Sequence, residues 1–106
     1  FQAEGVTFIK PETSYLHLDI TIGKDTVIFP HNIILGKTSI GANCIIGPFN
    51  VIKDSSISDN INIKAYCYLD TAKIKSETQV GPFSHLRPGS DIGENCKVGN
   101  FVEIKK

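Results

Sequence analysis

Aliphatic residues recur every six positions along this chain. Ile22, Ile28, Ile34, Ile40, Ile46 and Ile52 are each six apart. The beat restarts one residue early at Ile57, Ile63 and Leu69, and again at Ile74, Val80, Leu86, Ile92, Val98 and Ile104. Of the fourteen intervals, only two are five rather than six. Two positions before each aliphatic lies a second register of mostly small side chains: Thr26, Asn32, Thr38, Cys44, Asn50, Ser55, Cys67, Ala72, Thr78, Ser84, Ser90, Cys96 and Val102. Ile20 and Ile61 are its bulky exceptions, and Gly follows the aliphatic at Gly23, Gly41, Gly47, Gly81, Gly93 and Gly99. A helix repeats every ~3.6 residues and a simple hairpin sheet every ~2, so neither produces this pattern.

A fixed short period specifies a solenoid, and a period of six specifies a hexapeptide parallel β-helix, an all-β fold. Three hexads close one triangular coil of about 18 residues, and hexads three apart stack about 4.8 Å from each other as neighbouring strands. The fifteen aliphatic positions predict about five coils over residues 21–106, a prism roughly 24 Å tall. Residues 1–20 carry weak beats and read as an incoming connection from a preceding domain. The two registers, being two apart, both point inward. Burial of each aliphatic contributes about 1.5–3 kcal/mol, a real core for so small a chain. The glycines are expected at the corners, where a side chain would clash. Three positions after the aliphatic, successive coils read Phe49, Tyr66, Phe83 and Phe101. That aromatic column stays in register only if both five-residue hexads are shortened at corners, and it reads as a packing ladder rather than a ligand-stacking surface.

Composition narrows the function. Eleven basic and eleven acidic residues give a net charge of zero over 106 residues, against the basic excess a nucleic-acid or anionic-membrane surface needs. No apolar run approaches membrane-spanning length. The chain has no Met and starts at Phe1, which predicts a segment of something longer. Cys44, Cys67 and Cys96 all fall in the small register; an odd count without a CxxC pair reads as inward-facing fillers in a reducing, cytoplasmic compartment.

Candidate chemistry is sparse. Arg87 is the single arginine and follows Leu86; Lys105 follows Ile104 eighteen residues later. Stacking makes them neighbours in one column, where two cations repel unless an anion sits between them. A guanidinium fork beside an ammonium suits a phosphate. Asp70, after Leu69, falls in the same column one coil earlier and offers the alternative of a plain ion pair with Arg87. His17, His31 and His85 do not share a column, so no metal site is expected, and His85 shares one with Glu103 as an ordinary cross-strand pair. No GxSxG, Walker or Gly-rich nucleotide loop is present.

The segment GPFSHLRPGSDIGENCKVGNFVEIKK, residues 81–106, resembles the start of an acetyltransferase domain. The family is that of the bifunctional bacterial N-acetylglucosamine-1-phosphate uridyltransferase / glucosamine-1-phosphate N-acetyltransferase. GPF at 81–83, LRPG at 86–89 and GNFVE at 99–103 carry the resemblance, and GVTFIKPETSY at 5–15 is similar to the family's entry into its β-helix. The resemblance implies a left-handed β-helix that trimerises and acetylates the amine of glucosamine-1-phosphate from acetyl-CoA. It implies a uridylyl transfer from UTP, with Mg²⁺, by a domain preceding Phe1. It assigns the sugar phosphate to Arg87 and Lys105, and places the catalytic base beyond Lys106. A chain truncated in this way is expected to hold part of one substrate site, to bind no cofactor, and to be inactive alone. Other readings are a non-catalytic β-helix module for assembly or regulation, as appended to sugar-nucleotide pyrophosphorylases, and a different hexapeptide acyltransferase.

Overall fold

Each hexad forms a strand of two or three residues followed by a corner. The structure is a computed structural model that describes residues 5–9, 14–16 and 19–99, and the backbone of 103–104. The first coil carries β1 (Thr7–Phe8), β2 (Tyr15–Leu16) and β3 (Thr21–Ile22). The second carries β4 (Val27–Ile28), β5 (Ile33–Leu35) and β6 (Ser39–Ile40); the third, β7 (Ile45–Ile46), β8 (Val51–Lys53) and β9 (Ser56–Ile57). The fourth has β10 (Asn62–Ile63), β11 (Tyr68–Asp70) and β12 (Lys73–Ile74), and the fifth β13 (Gln79–Val80), β14 (His85–Leu86) and β15 (Asp91–Ile92). Strands β16 (Lys97–Val98) and β17 (Glu103–Ile104) continue the stack. Among the described residues every element is a strand.

Strands three apart pair in parallel and make three flat faces. Sheet A runs β1-β4-β7-β10-β13-β16, sheet B β2-β5-β8-β11-β14-β17, and sheet C β3-β6-β9-β12-β15. Register is beat on beat: Ile28 opposes Ile46, which opposes Ile63. The molecule is a parallel β-helix of the hexapeptide class, with extents of 32 × 21 × 21 Å. Both five-residue hexads, Ile52 to Ile57 and Leu69 to Ile74, span the corner from sheet B to sheet C. The missing residue therefore comes out of the turn and leaves the inward registers aligned.

The aliphatic register fills the prism; Ile28, Ile34, Ile46, Ile52, Ile63 and Leu69 are fully buried. The small register does more than fill. Buried Asn and hydroxyl side chains bind a corner carbonyl and also accept the amide of the next coil's register residue. Asn32 Oδ1 accepts Asn50 N at 2.9 Å, and Asn50 Oδ1 accepts Cys67 N at 2.7 Å. Thr26 Oγ1 accepts Cys44 N at 3.1 Å, and Ser55 Oγ accepts Ala72 N at 3.2 Å. Among the described residues no buried side-chain polar atom lacks a partner. Asn32, Asn50, Thr26 and Ser55 thus each rivet two coils together.

Three expectations are corrected. The strand pairing does not begin at residue 21: β1 pairs with β4 and β2 with β5 inside the segment read as a connection. Val6, Phe8 and Leu16 pack partly buried against the core, and the longer interval from Phe8 to Leu16 hides their beat. Second, the glycines that follow the beat do not make the left-handed turns, and Gly23, Gly41 and Gly47 are crowded whereas Gly93 is not. A Cβ on Gly41 would lie 2.7 Å from the carbonyl carbon and oxygen of Ser58. The left-handed turn residue is the non-glycine three after the beat: Asp25, Asn43, Asn60, Glu77 and Asn95 on one corner, His31, Phe49, Tyr66 and Phe83 on another. At the B-to-C corner Asp54 and Thr71 take that role two after the beat, as does Gly36, while Gly89 takes it three after Leu86. Third, only two of the three cysteines are buried fillers. Cys44 and Cys67 are buried, but Cys96 is exposed, since it precedes β16, the last strand of sheet A, and no described coil covers it.

Candidate functional site

The column after the sheet B beat holds the charged residues that stacking was expected to bring together. Lys53 and Asp70 are Cα partners, and Leu69 pairs with Leu86. Lys53, Asp70 and Arg87 therefore follow one another up the B-to-C edge. Leu86 in turn pairs with Ile104. Lys105, next after Ile104, lies outside the described residues, as does Phe101.

Local turns fix the backbone here. Ser90, itself buried, donates to the Arg87 carbonyl from both its hydroxyl, at 2.6 Å, and its amide, at 3.0 Å. Pro88 and Gly89 complete the bend, with Gly89 at φ +89°, which a Cβ disfavours. Gly89 N donates to Thr71 O at 3.2 Å, tying this turn to the coil beneath. The Arg87 side chain is exposed, whereas Asp70 is half-buried and its Oδ1 accepts the Thr71 hydroxyl at 2.9 Å. Such an edge can offer a guanidinium to an anionic group from solvent.

The histidines serve other structures. His85 pairs in register with Glu103 and meets Tyr68 edge-on, ring centroids 5.1 Å apart. His31 stands three after Ile28 and so belongs to the aromatic column, which its sequence position could have revealed. It stacks on Phe49 at 4.8 Å; Phe49 stacks on Tyr66 at 5.0 Å, and Tyr66 on Phe83 at 5.1 Å. Planes within 2–3° of parallel leave the faces of Phe49 and Tyr66 covered by neighbouring rings. This is the packing ladder, with ring edges toward solvent. His17 lies outside the described residues. Among the described residues no cluster of His, Cys, Asp and Glu could hold a metal.

Burial pushes the Cys44 and Cys67 thiols above their ordinary value. Cys44 Sγ donates to Ser58 O at 3.1 Å and Cys67 Sγ to Gly81 O at 3.1 Å, which keeps both protonated and inert. An open groove of about 410 Å³, lined by Asp19, Ile20, Thr21, Lys37, Thr38 and Ser39, lies on the same edge as Arg87 but at the opposite end of the stack.

Fold and column together define a hexapeptide β-helix with a charged edge, the architecture of solved acyltransferases. The acetyltransferase domain of PglB from Neisseria gonorrhoeae superposes at TM-score 0.89 with 15% identity, over 94% of this chain and 49% of that one. The Francisella novicida UDP-N-acetylglucosamine acyltransferase gives TM-score 0.72 with 15% identity, over 92% and 47%. The chain belongs to the family described as the GMPPB C-terminal domain, whose model matches residues 11–106. It is 50% identical over 103 residues to the bifunctional protein GlmU of an Exiguobacterium species, covering 97% of this chain and 23% of that protein. Halalkalibacterium halodurans GlmU is 45% identical over 103 residues, covering 97% and 22%. The chain thus spans under a quarter of the length of the curated relatives it matches.

Proposed function

We propose that this chain is the opening part of the acetyltransferase domain of a bifunctional enzyme making UDP-N-acetylglucosamine. The parent transfers acetyl from acetyl-CoA to glucosamine-1-phosphate and then couples the product to UTP with Mg²⁺ in a separate domain. Arg87 and Lys105 bind the sugar phosphate. The observation that carries this reading is the pairing of Leu86 with Ile104. It puts the beat of the LRPG motif, which Arg87 follows, beside the beat that ends GNFVEI, and on this reading Lys105 follows that second beat on the same edge. A guanidinium and an ammonium side by side form a charge-assisted clamp for a dianion. Support also comes from the 50% identity to a bifunctional GlmU, and from the PglB acetyltransferase domain, a prism of this fold solved with acetyl coenzyme A.

Within this reading the domain works in the cytoplasm as a homotrimer, and the nucleotidyltransferase domain precedes it in the parent. The base that takes the proton from the attacking amine lies beyond Lys106. The 106-residue chain alone therefore binds sugar phosphate weakly and transfers no acetyl group. Incubation with acetyl-CoA and glucosamine-1-phosphate, with free thiol followed over time, is expected to give the uncatalysed rate. Thiol release above that rate, abolished by Arg87→Ala, would disprove the claim that the base lies elsewhere.

A second reading has one observation in its favour: the matching family model is described as the GMPPB C-terminal domain. On that reading the prism is a non-catalytic module for assembly or regulation. It expects no sugar-phosphate binding that depends on Arg87.

A further inference from the structure

We propose that Asp70 is a positioning residue for Arg87, its carboxylate, clasped by Thr71 one coil beneath, holding the guanidinium along the column toward the phosphate. The proposal rests on the reading of Arg87 as a phosphate ligand. It follows from charge order, corner length and anchoring.

The column reads Lys53, Asp70, Arg87 in ascending coils, so the one carboxylate stands between two cations. Without it, Lys53 and Arg87, about 9.6 Å apart along the stack, face each other with no counter-charge between them. With it, one edge of the guanidinium has a fixed counter-charge below, and the fork keeps further N–H groups for a second anion.

The corner under Arg87 is built to hold that carboxylate. Leu69 to Ile74 is a five-residue hexad, whereas Leu86 to Ile92 has six. Thr71 turns at once after Asp70, at φ +50°, and its hydroxyl reaches Asp70 Oδ1. The same residue donates its amide to Lys53 O at 2.8 Å below and accepts Gly89 N above. The fuller Arg87 turn sits over the shorter one and is anchored by Ser90. Both main chains are fixed, which sets where the long exposed side chain of Arg87 leaves the corner above Asp70.

Because Arg87 is the only arginine, its Nε–H gives a single assignable signal in a ¹⁵N spectrum. The test titrates glucosamine-1-phosphate into the chain and its variants, following that signal and the backbone amides. Asp70→Asn is expected to weaken binding about five- to tenfold and to broaden the Nε–H signal, with the amide spectrum otherwise kept. Asp70→Glu is expected to restore both. Removing a negative charge near an anion site would by Coulomb attraction alone tighten binding, so tighter or unchanged binding in Asp70→Asn overturns the proposal. Should Asp70→Asn misfold, Thr71→Val leaves the carboxylate but removes its clasp; weaker binding supports the proposal and unchanged binding overturns it. Arg87→Ala binding as well as the parent chain would overturn the phosphate reading itself, whatever Asp70 does.

Discussion

Replacing Asn50 tests whether the inner register rivets the coils. Asn50 is fully buried; its Nδ2 donates to Gly47 O at 2.8 Å and its Oδ1 accepts Cys67 N at 2.7 Å. Asn50→Ala removes both bonds and leaves a carbonyl and an amide buried without partners. At about 1–3 kcal/mol for each group, the expected loss is about 2–5 kcal/mol including the void. Asn50→Asp keeps the acceptor but sets a carboxylate against the Gly47 carbonyl. Repulsion and burial raise its folded pKa above the ordinary carboxylate value of about 3.9. A raised folded pKa means stability that is present below the unfolded value and lost as pH rises through the folded one. Relative to the parent chain, Asn50→Asp should thus be tolerated best near pH 4 and grow steadily worse toward pH 7. Urea unfolding followed by circular dichroism at both pH values reads these differences, a loss of 3 kcal/mol moving the midpoint by about 1–3 M. An Asn50→Ala chain within about 0.5 kcal/mol of the parent would refute the rivet argument.

The other predictions concern the corners and the thiols. Tyr66→Ala loses stacking on both Phe49 and Phe83 and should cost about 1–3 kcal/mol; a double-mutant cycle with Phe49→Ala should return about 0.5–1.5 kcal/mol of coupling. Gly41→Ala forces a Cβ against the Ser58 carbonyl and the Asp59 carboxylate, so thermal melting should show a loss of more than about 2 kcal/mol. A thiol-specific chromogenic reagent should label exposed Cys96 quickly, and Cys44 and Cys67 only as fast as the chain opens. Since burial raises the two inner thiols above 9.0, their contribution to stability should hold below that pH and fall as pH rises past it. Denaturation midpoints at pH 8 and 10, against a Cys44→Ser, Cys67→Ser chain, check the sign.

Much of this architecture is legible in the chain because one interaction dominates it. Inward aliphatics repeat with the coil, so counting them yields the three faces, the stacking of Ile28 on Ile46, and the corner that absorbs both short hexads. The aromatic column is readable for the same reason. What escapes the count is set by the backbone. The left-handed turns fall on residues as unlike as Asn43, Phe49 and Glu77, and only the Asn and Asp at the sheet C-to-A corner hint at them. Phe49 and Tyr66 adopt that conformation at a cost of about 1–3 kcal/mol each, which ring stacking on both faces offsets. His31 was visible at the same spacing but differs chemically from its column, so composition hides it. The bonds from Asn32 and Asn50 to the next coil depend on side-chain rotamers, which no periodicity encodes. At the candidate site, spacing alone puts Arg87 and Asp70 in one column. The clasp by Thr71 and the anchor from Ser90 arise from turn geometry that a residue count does not contain.

The most direct test of the account is a double-mutant cycle on Arg87 and Lys105, read as glucosamine-1-phosphate affinity by nuclear magnetic resonance titration. If both cations clamp one phosphate, each alanine variant should lose most of the binding, and the double variant should lose little more. Equal affinity in all four chains, or losses that simply add, would contradict a shared phosphate site on this edge.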